Sequence, residues 1–133
     1  MDLFTEYFTT EKLAELFPPQ RSNDFFEALF GDAEEGAFDI RLAYDRYDSV
    51  DETLHFTLDL HERPGKCLAC NLTYGLPDVF TRHPIINVTG LIKNIDTLLG
   101  EKYMCEEWKL GTTQQQQSAL HSIPLVIAVK KVD

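Results

Sequence analysis

Cys67 and Cys70 form the pair of reactive side chains in this sequence that most directly suggests chemistry, and His61 lies six residues before Cys67. Two cysteines at this spacing bind zinc or exchange disulfides when they lie in a loop or at the start of a helix. Here they follow a Pro-Gly turn in a segment with the alternation of a strand, and residues three apart on a strand point to opposite faces. We therefore expect free thiols and no bound metal, unless a bulge near Gly65 brings the two sulfur atoms together.

Four further side chains are candidates for ligand binding: His61, Tyr74, Arg82 and His83. Arg82 and His83 precede Pro84 in a connection between predicted elements, where functional groups often lie. A guanidinium at this place is suited to hold a carboxylate or phosphate beside the start of the following helix. Local packing or hydrogen bonding of His83 is the alternative interpretation. The ligand-binding interpretation predicts a pocket between the sheet and that helix.

The charge of the chain limits the classes of partner. Twelve Lys and Arg residues stand against 22 Asp and Glu residues, which gives a formal net charge of −10. A field of this sign repels phosphate backbones, so we expect no nucleic-acid binding. Solubility explains the charge most simply, and a surface that docks a basic protein is the alternative. No nucleophile elbow, phosphate-binding loop, dinucleotide fingerprint or metalloprotease motif is present, so we expect no cofactor.

Targeting signals are not evident in the sequence. The first residues lack the basic stretch and the apolar core of a signal peptide. No run reaches the roughly 18 apolar residues of a membrane span. Three cysteines cannot all pair within one chain. We therefore expect a cytoplasmic protein with reduced thiols and no membrane contact.

Alternation of apolar and polar residues predicts the strands of a sheet. In the clearest case, residues 54–61, Leu54, Phe56, Leu58 and Leu60 alternate with polar side chains. A second arm at residues 67–74 is predicted to complete a β-hairpin with it. The remaining predicted strands are residues 37–45, 102–110 and 122–132. The last of these is apolar on both faces, which indicates a central strand or one at a subunit interface, and residues 111–119 before it are interpreted as a polar loop or a short helix.

Helical spacing of apolar residues predicts helices on either side of the strands. The N-terminal helices cover residues 2–17, with Thr10 capping their second segment, and then a short helix capped by Ser22 or Asn23 and ended by Gly31. The clearest helix crosses between strands at about residues 87–99, with Asn87 as its N-cap. Its face carrying Ile92 and Ile95 is predicted to meet the sheet, and Lys93 and Asn94 are predicted to face water.

These elements predict a single α+β domain over residues 1–133, with about five mostly antiparallel strands, N-terminal helices and one crossing helix. Two hypotheses for its function follow. The first is a non-enzymatic adaptor or chaperone-like module that binds a protein partner and forms a homodimer through the sheet or its edge. The second is a small ligand-binding or enzymatic domain with a pocket near Arg82 and His83. The absence of a catalytic motif favours the first.

Overall fold

The computed structural model of the protein describes residues 4–32, 38–65, 76–100, 102–117 and 119–132. The α+β class is confirmed. In chain order the elements are α1 (Thr10–Leu16), α2 (Gln20–Phe30), β1 (Phe38–Asp48), β2 (Thr53–Glu62), α3 (Leu76–Arg82), α4 (Val88–Leu99), β3 (Tyr103–Leu110), β4 (Gln114–Gln117) and β5 (Leu120–Lys131).

The strands form one antiparallel sheet in the order β1-β2-β5-β3, with β4 also paired to β5. Because β2 occupies one edge of β5, β3 and β4 follow one another along the other edge. The most apolar strand therefore lies in the middle of the sheet, as its two apolar faces predicted. The outer strands are β1 on one side and β3 with β4 on the other.

The predicted neighbour of β2 is wrong. Leu58 of β2 lies opposite Leu42 of β1 on one side and opposite Ile123 of β5 on the other, and these two registers run along the whole strand. The hairpin of β2 is therefore formed with β1, and β2 has no edge left for residues 67–74. Alternation along a strand specifies which of its faces is buried, but it does not determine which strands pair with it. Residues 66–75, which include Cys67, Cys70 and Tyr74, lie outside the described residues.

The segment Gln114–Gln117, expected in a loop or a short helix, is a strand. It pairs with Leu120, His121 and Ser122 at the start of β5. All four glutamine side chains are exposed. The segment therefore lacks the alternation of apolar and polar residues from which a strand could be predicted. Backbone pairing with a neighbouring strand overrides the low strand propensity here.

The core lies on one face of the sheet. Leu54, Phe56, Leu58 and Leu60 of β2 are at most 1 % exposed. Across the register they meet apolar side chains of β1 and β5, which point to the same face. Burying a side chain of this kind stabilises the fold by roughly 1.5–3 kcal/mol.

Helix α4 covers this core as predicted. Ile92 and Ile95 are buried, and Lys93 and Asn94 are exposed. The predicted N-cap is also confirmed, because Asn87 Oδ1 accepts a hydrogen bond from the Gly90 N–H at 3.2 Å. A Cβ atom at position 90 would overlap the Asn87 side-chain amide, so this cap requires glycine.

The N-terminal helices start at other residues than predicted. Residues 4–7 form turns, and α1 begins at Thr10 with Thr9 as its N-cap, since Thr9 Oγ1 accepts the Lys12 N–H at 3.2 Å. Helix α2 begins after Pro19, and Gly31 ends it in the left-handed region at φ +82°. Ser22 and Asn23, the two alternatives predicted for its N-cap, both lie inside the helix, where Ser22 is buried and Asn23 is exposed.

The second face of the sheet, here called the open face, is mainly polar on β1 and β2 and partly apolar on β5, where Leu120 lies opposite His61. On β2 these are His55, Thr57, Asp59 and His61, all half-buried. The register places Pro124 and Val126 of β5 beside them, which are also only half-buried. All the buried apolar side chains of the described strands point to the opposite face.

Candidate functional site

A cavity of about 620 Å³ lies beside the outer edge of β1, and we call it the edge groove. Residues Ile40–Tyr44 of β1 form its floor. One wall is largely apolar and comes from α1 and the chain around it, and the other is polar and comes from the open face. The volume lies in the range of binding clefts in proteins. The apolar wall includes Phe8, Leu13, Ala14, Phe17 and Pro19, and the polar wall consists of Arg41, Asp59 and His61.

The backbone of β1 directs hydrogen-bonding groups into this groove. The Ile40 N–H donates to Ser22 Oγ at 2.8 Å, and the Ser22 hydroxyl donates to the Ile40 carbonyl at 3.4 Å. The N–H and C=O of Ile40 therefore point away from β2. In an antiparallel pair these directions alternate along the strand, so the N–H and C=O of Leu42 also point outward. Leu42 lines the groove, so its backbone is presented to whatever enters.

Two features limit the length of this accessible edge. At one end, Ser22 of α2 hydrogen-bonds Ile40 in the place of a neighbouring strand, and this serine is only 1 % exposed. At the other end, the pairing with β2 is interrupted between Tyr44 and Arg46 by a bulge. Bulges and inserted side chains are common ways of ending strand pairing. The edge between the two features is short and centred on Leu42.

Asp59 is the acidic group of the polar wall. Its Oδ1 atom accepts a hydrogen bond from Ser122 Oγ at 2.8 Å. Arg41 lies opposite Asp59 in the register of β1 and β2. Among the described residues, Asp59 forms no ion pair within 4.0 Å. The carboxylate therefore keeps acceptor capacity in addition to its bond with Ser122.

Two arginine side chains connect α2, which carries Ser22, to its surroundings: Arg63 links it to β1, and Arg21 links it to the segment before α4. The Arg63 guanidinium bonds Asp39 Oδ1 at 3.0–3.1 Å and Asn23 Oδ1 at 2.8 Å. Arg21 donates to the Ile86 carbonyl at 3.2 Å, and its guanidinium lies over the Phe17 ring at 5.0 Å. Burial lowers the pKa of Arg21 below its usual value.

The residues predicted to bind a ligand lie in different places. His61 lines the edge groove from the open face. Arg82 is exposed at the last position of α3. The His83 ring packs edge-on against Phe25 at 4.8 Å, and its Nδ1 accepts the Ile85 N–H at 3.2 Å. Because Phe25 belongs to the core under the helices, the structure does not bring His83 together with His61.

Tyr74 lies outside the described residues, so the pocket near Arg82 and His83 stays a prediction. The edge groove itself was not found from the sequence. The alternation in residues 38–44 indicated which side chains are buried, but an edge position depends on the order of strands in the sheet. The groove forms between that edge and α1, a helix of seven residues.

The thiols give no metal site in the part of the chain that the structure describes, where no group of three His, Cys, Asp or Glu side chains is placed to hold an ion. Cys67 and Cys70 lie outside that part. Cys105 on β3 is half-buried, and burial together with the nearby Asp96 raises the pKa of its thiol to about 12. Such a thiol is protonated at neutral pH and is a poor nucleophile.

No protein-family model, curated protein or solved structure matches this chain. Among the described helices, none combines the length and the apolar character needed to cross a membrane.

Proposed function

We propose that this chain is a non-enzymatic protein-binding module that takes an extended segment of a partner protein along the outer edge of β1, in the edge groove. The observation that supports this most directly is the outward direction of the Leu42 N–H and C=O into a groove with side-chain walls. In strand addition, main-chain hydrogen bonds provide affinity and pockets for alternate side chains provide specificity.

The two walls favour a partner segment in which apolar and polar residues alternate. Side chains of an added strand point alternately to the two faces of the sheet. One row then lies against the apolar wall at Phe8, Leu13 and Phe17, and the other row lies beside Arg41 and Asp59. The net charge of −10 favours a basic partner, because opposite charges accelerate association and orient the encounter.

The shortness of the accessible edge supports a transient interaction. Only the backbone around Leu42 lies between the Ser22 contact and the bulge after Tyr44. Small contact areas are typical of weak, reversible complexes. Reversible binding suits an adaptor or chaperone-like role better than a permanent complex.

A second copy of the chain is the other occupant to consider, since a homodimer through the sheet or its edge is predicted from the sequence. Two copies that each carry −10 repel one another over long distances. We therefore favour a basic heterologous segment in the groove. Light scattering separates the two, because a homodimer has a mass near twice the 15.2 kDa of one chain.

The test uses a short capped peptide in which Val and Lys alternate, labelled for fluorescence anisotropy. We expect saturable binding to the wild type, and weaker binding of a peptide of the same composition with all Val residues in one block. Ala14→Trp fills the groove from α1 at an exposed position and should reduce the affinity at least about tenfold, since it removes the space for the added strand.

Glu15→Trp is the matched control, because Glu15 is the next residue of α1, is exposed and does not line the groove. The affinity of this variant for the alternating peptide should stay within about twofold of that of the wild type. Equal affinities of the alternating and block peptides, or equal effects of the two tryptophan variants, would remove strand addition at β1 as the function.

A further inference from the structure

We infer that the segment bound in the edge groove carries a Lys or Arg side chain that lies across Ala43 and pairs with Asp59. This inference rests on the proposed function, and it identifies the charge that the polar wall selects. The proposal of strand addition holds for any alternating segment, whereas this one requires a cation at one position.

Arg41 lies directly opposite Asp59 in the register, so a side chain that avoids Arg41 reaches Asp59 diagonally, over Ala43. Ala43 lies on β1 beside Arg41 and opposite Thr57 of β2, and all of them face the open side of the sheet. The methyl group of Ala43 is the smallest of these side chains, so the surface between the outer edge of β1 and β2 is shallow at this position. Ala43, Asp59 and His61 all line the edge groove, which shows that the groove extends over β1 to the second strand.

Only a long side chain reaches Asp59 from an added strand. Neighbouring strands are about 4.8 Å apart, so the added strand lies roughly 10 Å from β2. Lys and Arg are the residues that combine a long apolar stem with a positive head, and they commonly lay that stem along a surface. Their stem covers Ala43, and their head reaches the carboxylate.

The carboxylate is held in position before anything binds. Ser122, which is 4 % exposed, donates to Asp59 Oδ1 at 2.8 Å. Asp59 itself is half-buried. An ionic hydrogen bond to a fixed and partly desolvated acceptor is stronger than one to a mobile surface carboxylate.

Arg41 is the group that opposes this arrangement. It lies on the neighbouring strand opposite Asp59 and is exposed, so its side chain can move toward or away from the carboxylate. When a second cation arrives at Asp59, Arg41 repels it. Removing the charge of Arg41 and removing the charge of Asp59 should therefore change the affinity in opposite directions.

The experiment measures binding of the alternating Val and Lys peptide to Asp59→Asn and Asp45→Asn by anisotropy at moderate salt. Both substitutions remove one negative charge, and Asp45 lies outside the groove in an exposed pair with Arg46. We expect Asp59→Asn to weaken binding about fivefold and Asp45→Asn to change it by less than about twofold. Arg41→Gln should strengthen it.

A peptide in which Val and Gln alternate separates this inference from the function on which it rests. It should bind the wild type and Asp59→Asn equally. If both peptides bind the wild type but Asp59→Asn and Asp45→Asn weaken the Lys peptide equally, the contact with Asp59 is wrong and strand addition stands. If neither peptide binds the wild type, strand addition and this inference both fail. Thermal unfolding of each variant checks that the fold stays intact, which for Asp59→Asn requires the new amide oxygen to accept the Ser122 hydrogen bond.

Discussion

On each outer edge of the sheet, a helix side chain accepts a hydrogen bond from one backbone N–H, but beyond this contact the two edges differ. On β1, Ser22 of α2 accepts the Ile40 N–H, and on β3, Asp96 of α4 accepts the Cys105 N–H, both at 2.8 Å. Immediately after Cys105 a bulge interrupts β3 and carries Glu106 and Glu107, both exposed. On β1 the strand continues through Leu42 to Tyr44 before its bulge.

The helices beside the two edges differ as well. Helix α4 has 12 residues and lies beside β3 with five of them buried, whereas α1 has seven residues and buries one, Leu16. Bulges, charged residues and covering helices are the usual ways in which proteins prevent unwanted strand pairing. The β3 edge has all three within a few residues. On β1 the same three features are spread along the edge, with α1 and α2 in contact with the strand, a bulge after Tyr44, and Leu42 between them.

The largest effect is expected from substitutions that compare the two helices. Ile95→Ala in α4 should lower the free energy of unfolding by roughly 2–5 kcal/mol, because Ile95 is fully buried. Leu13→Ala in α1 should cost less, about 1 kcal/mol, because Leu13 is half-buried beside the groove. Urea titration measures both, with exposed Lys93→Ala as a control below about 0.5 kcal/mol. A larger loss for Leu13→Ala than for Ile95→Ala would show that α1 is the more tightly packed helix.

A medium effect is expected at the Ser22 contact. Ser22→Ala leaves the buried Ile40 N–H without its acceptor, so the free energy of unfolding should fall by about 1–3 kcal/mol.

Ser49→Ala in the exposed turn between β1 and β2 is the control for that substitution and should change stability by under about 0.5 kcal/mol. Equal stabilities of the two alanine variants in a denaturant titration would mean that Ser22 does not hold α2 to the strand edge.

The smallest effect is expected at Cys105, beside the closed edge. Burial, and then Asp96, raise the pKa of this thiol from 9.0 to about 12. In a Cys67→Ser/Cys70→Ser background, alkylation by iodoacetamide near neutral pH should be slow, and Asp96→Asn should accelerate it by lowering the pKa. Between pH 9 and pH 12 the unfolded chain loses this proton before the folded one does, so stability should fall as pH rises through that window.

The rate of alkylation as a function of pH measures the first effect, and urea titration at several alkaline pH values measures the second. A thiol that reacts as fast as free cysteine at neutral pH would show that α4 does not shield this side of the sheet.

The features that depend on a single segment, such as its buried face and its helix ends, could be predicted from the sequence. The alternation in residues 54–61 identified the buried face of β2, and the spacing of Ile92 and Ile95 identified the buried face of α4. Asn87 and Gly31 were recognisable as helix ends because their chemistry is local.

What could not be predicted depends on segments distant in the chain. The neighbours of β2 depend on how the whole sheet assembles. The sequence therefore predicted residues 67–74 as its partner, whereas β1 and β5 occupy its two edges. Ser22 resembled an N-cap by residue type, but the helix starts earlier and its hydroxyl bonds Ile40, 18 residues away. The edge groove also depends on how distant segments assemble, since it lies where β1 is the outermost strand and α1 packs beside it.

Pro124 lies in the central strand β5, where a residue without an N–H is uncommon. Its carbonyl accepts the Gly111 N–H at 2.7 Å, and its missing donor faces the interval between β3 and β4. The strand pairing on that side of β5 is therefore divided into two parts, one with β3 and one with β4. The hydrogen bond from Gly111 to Pro124 lies between them. Because its glutamines are exposed, we expect the β4 pairing to exchange its amide hydrogens with solvent faster than the β3 pairing does.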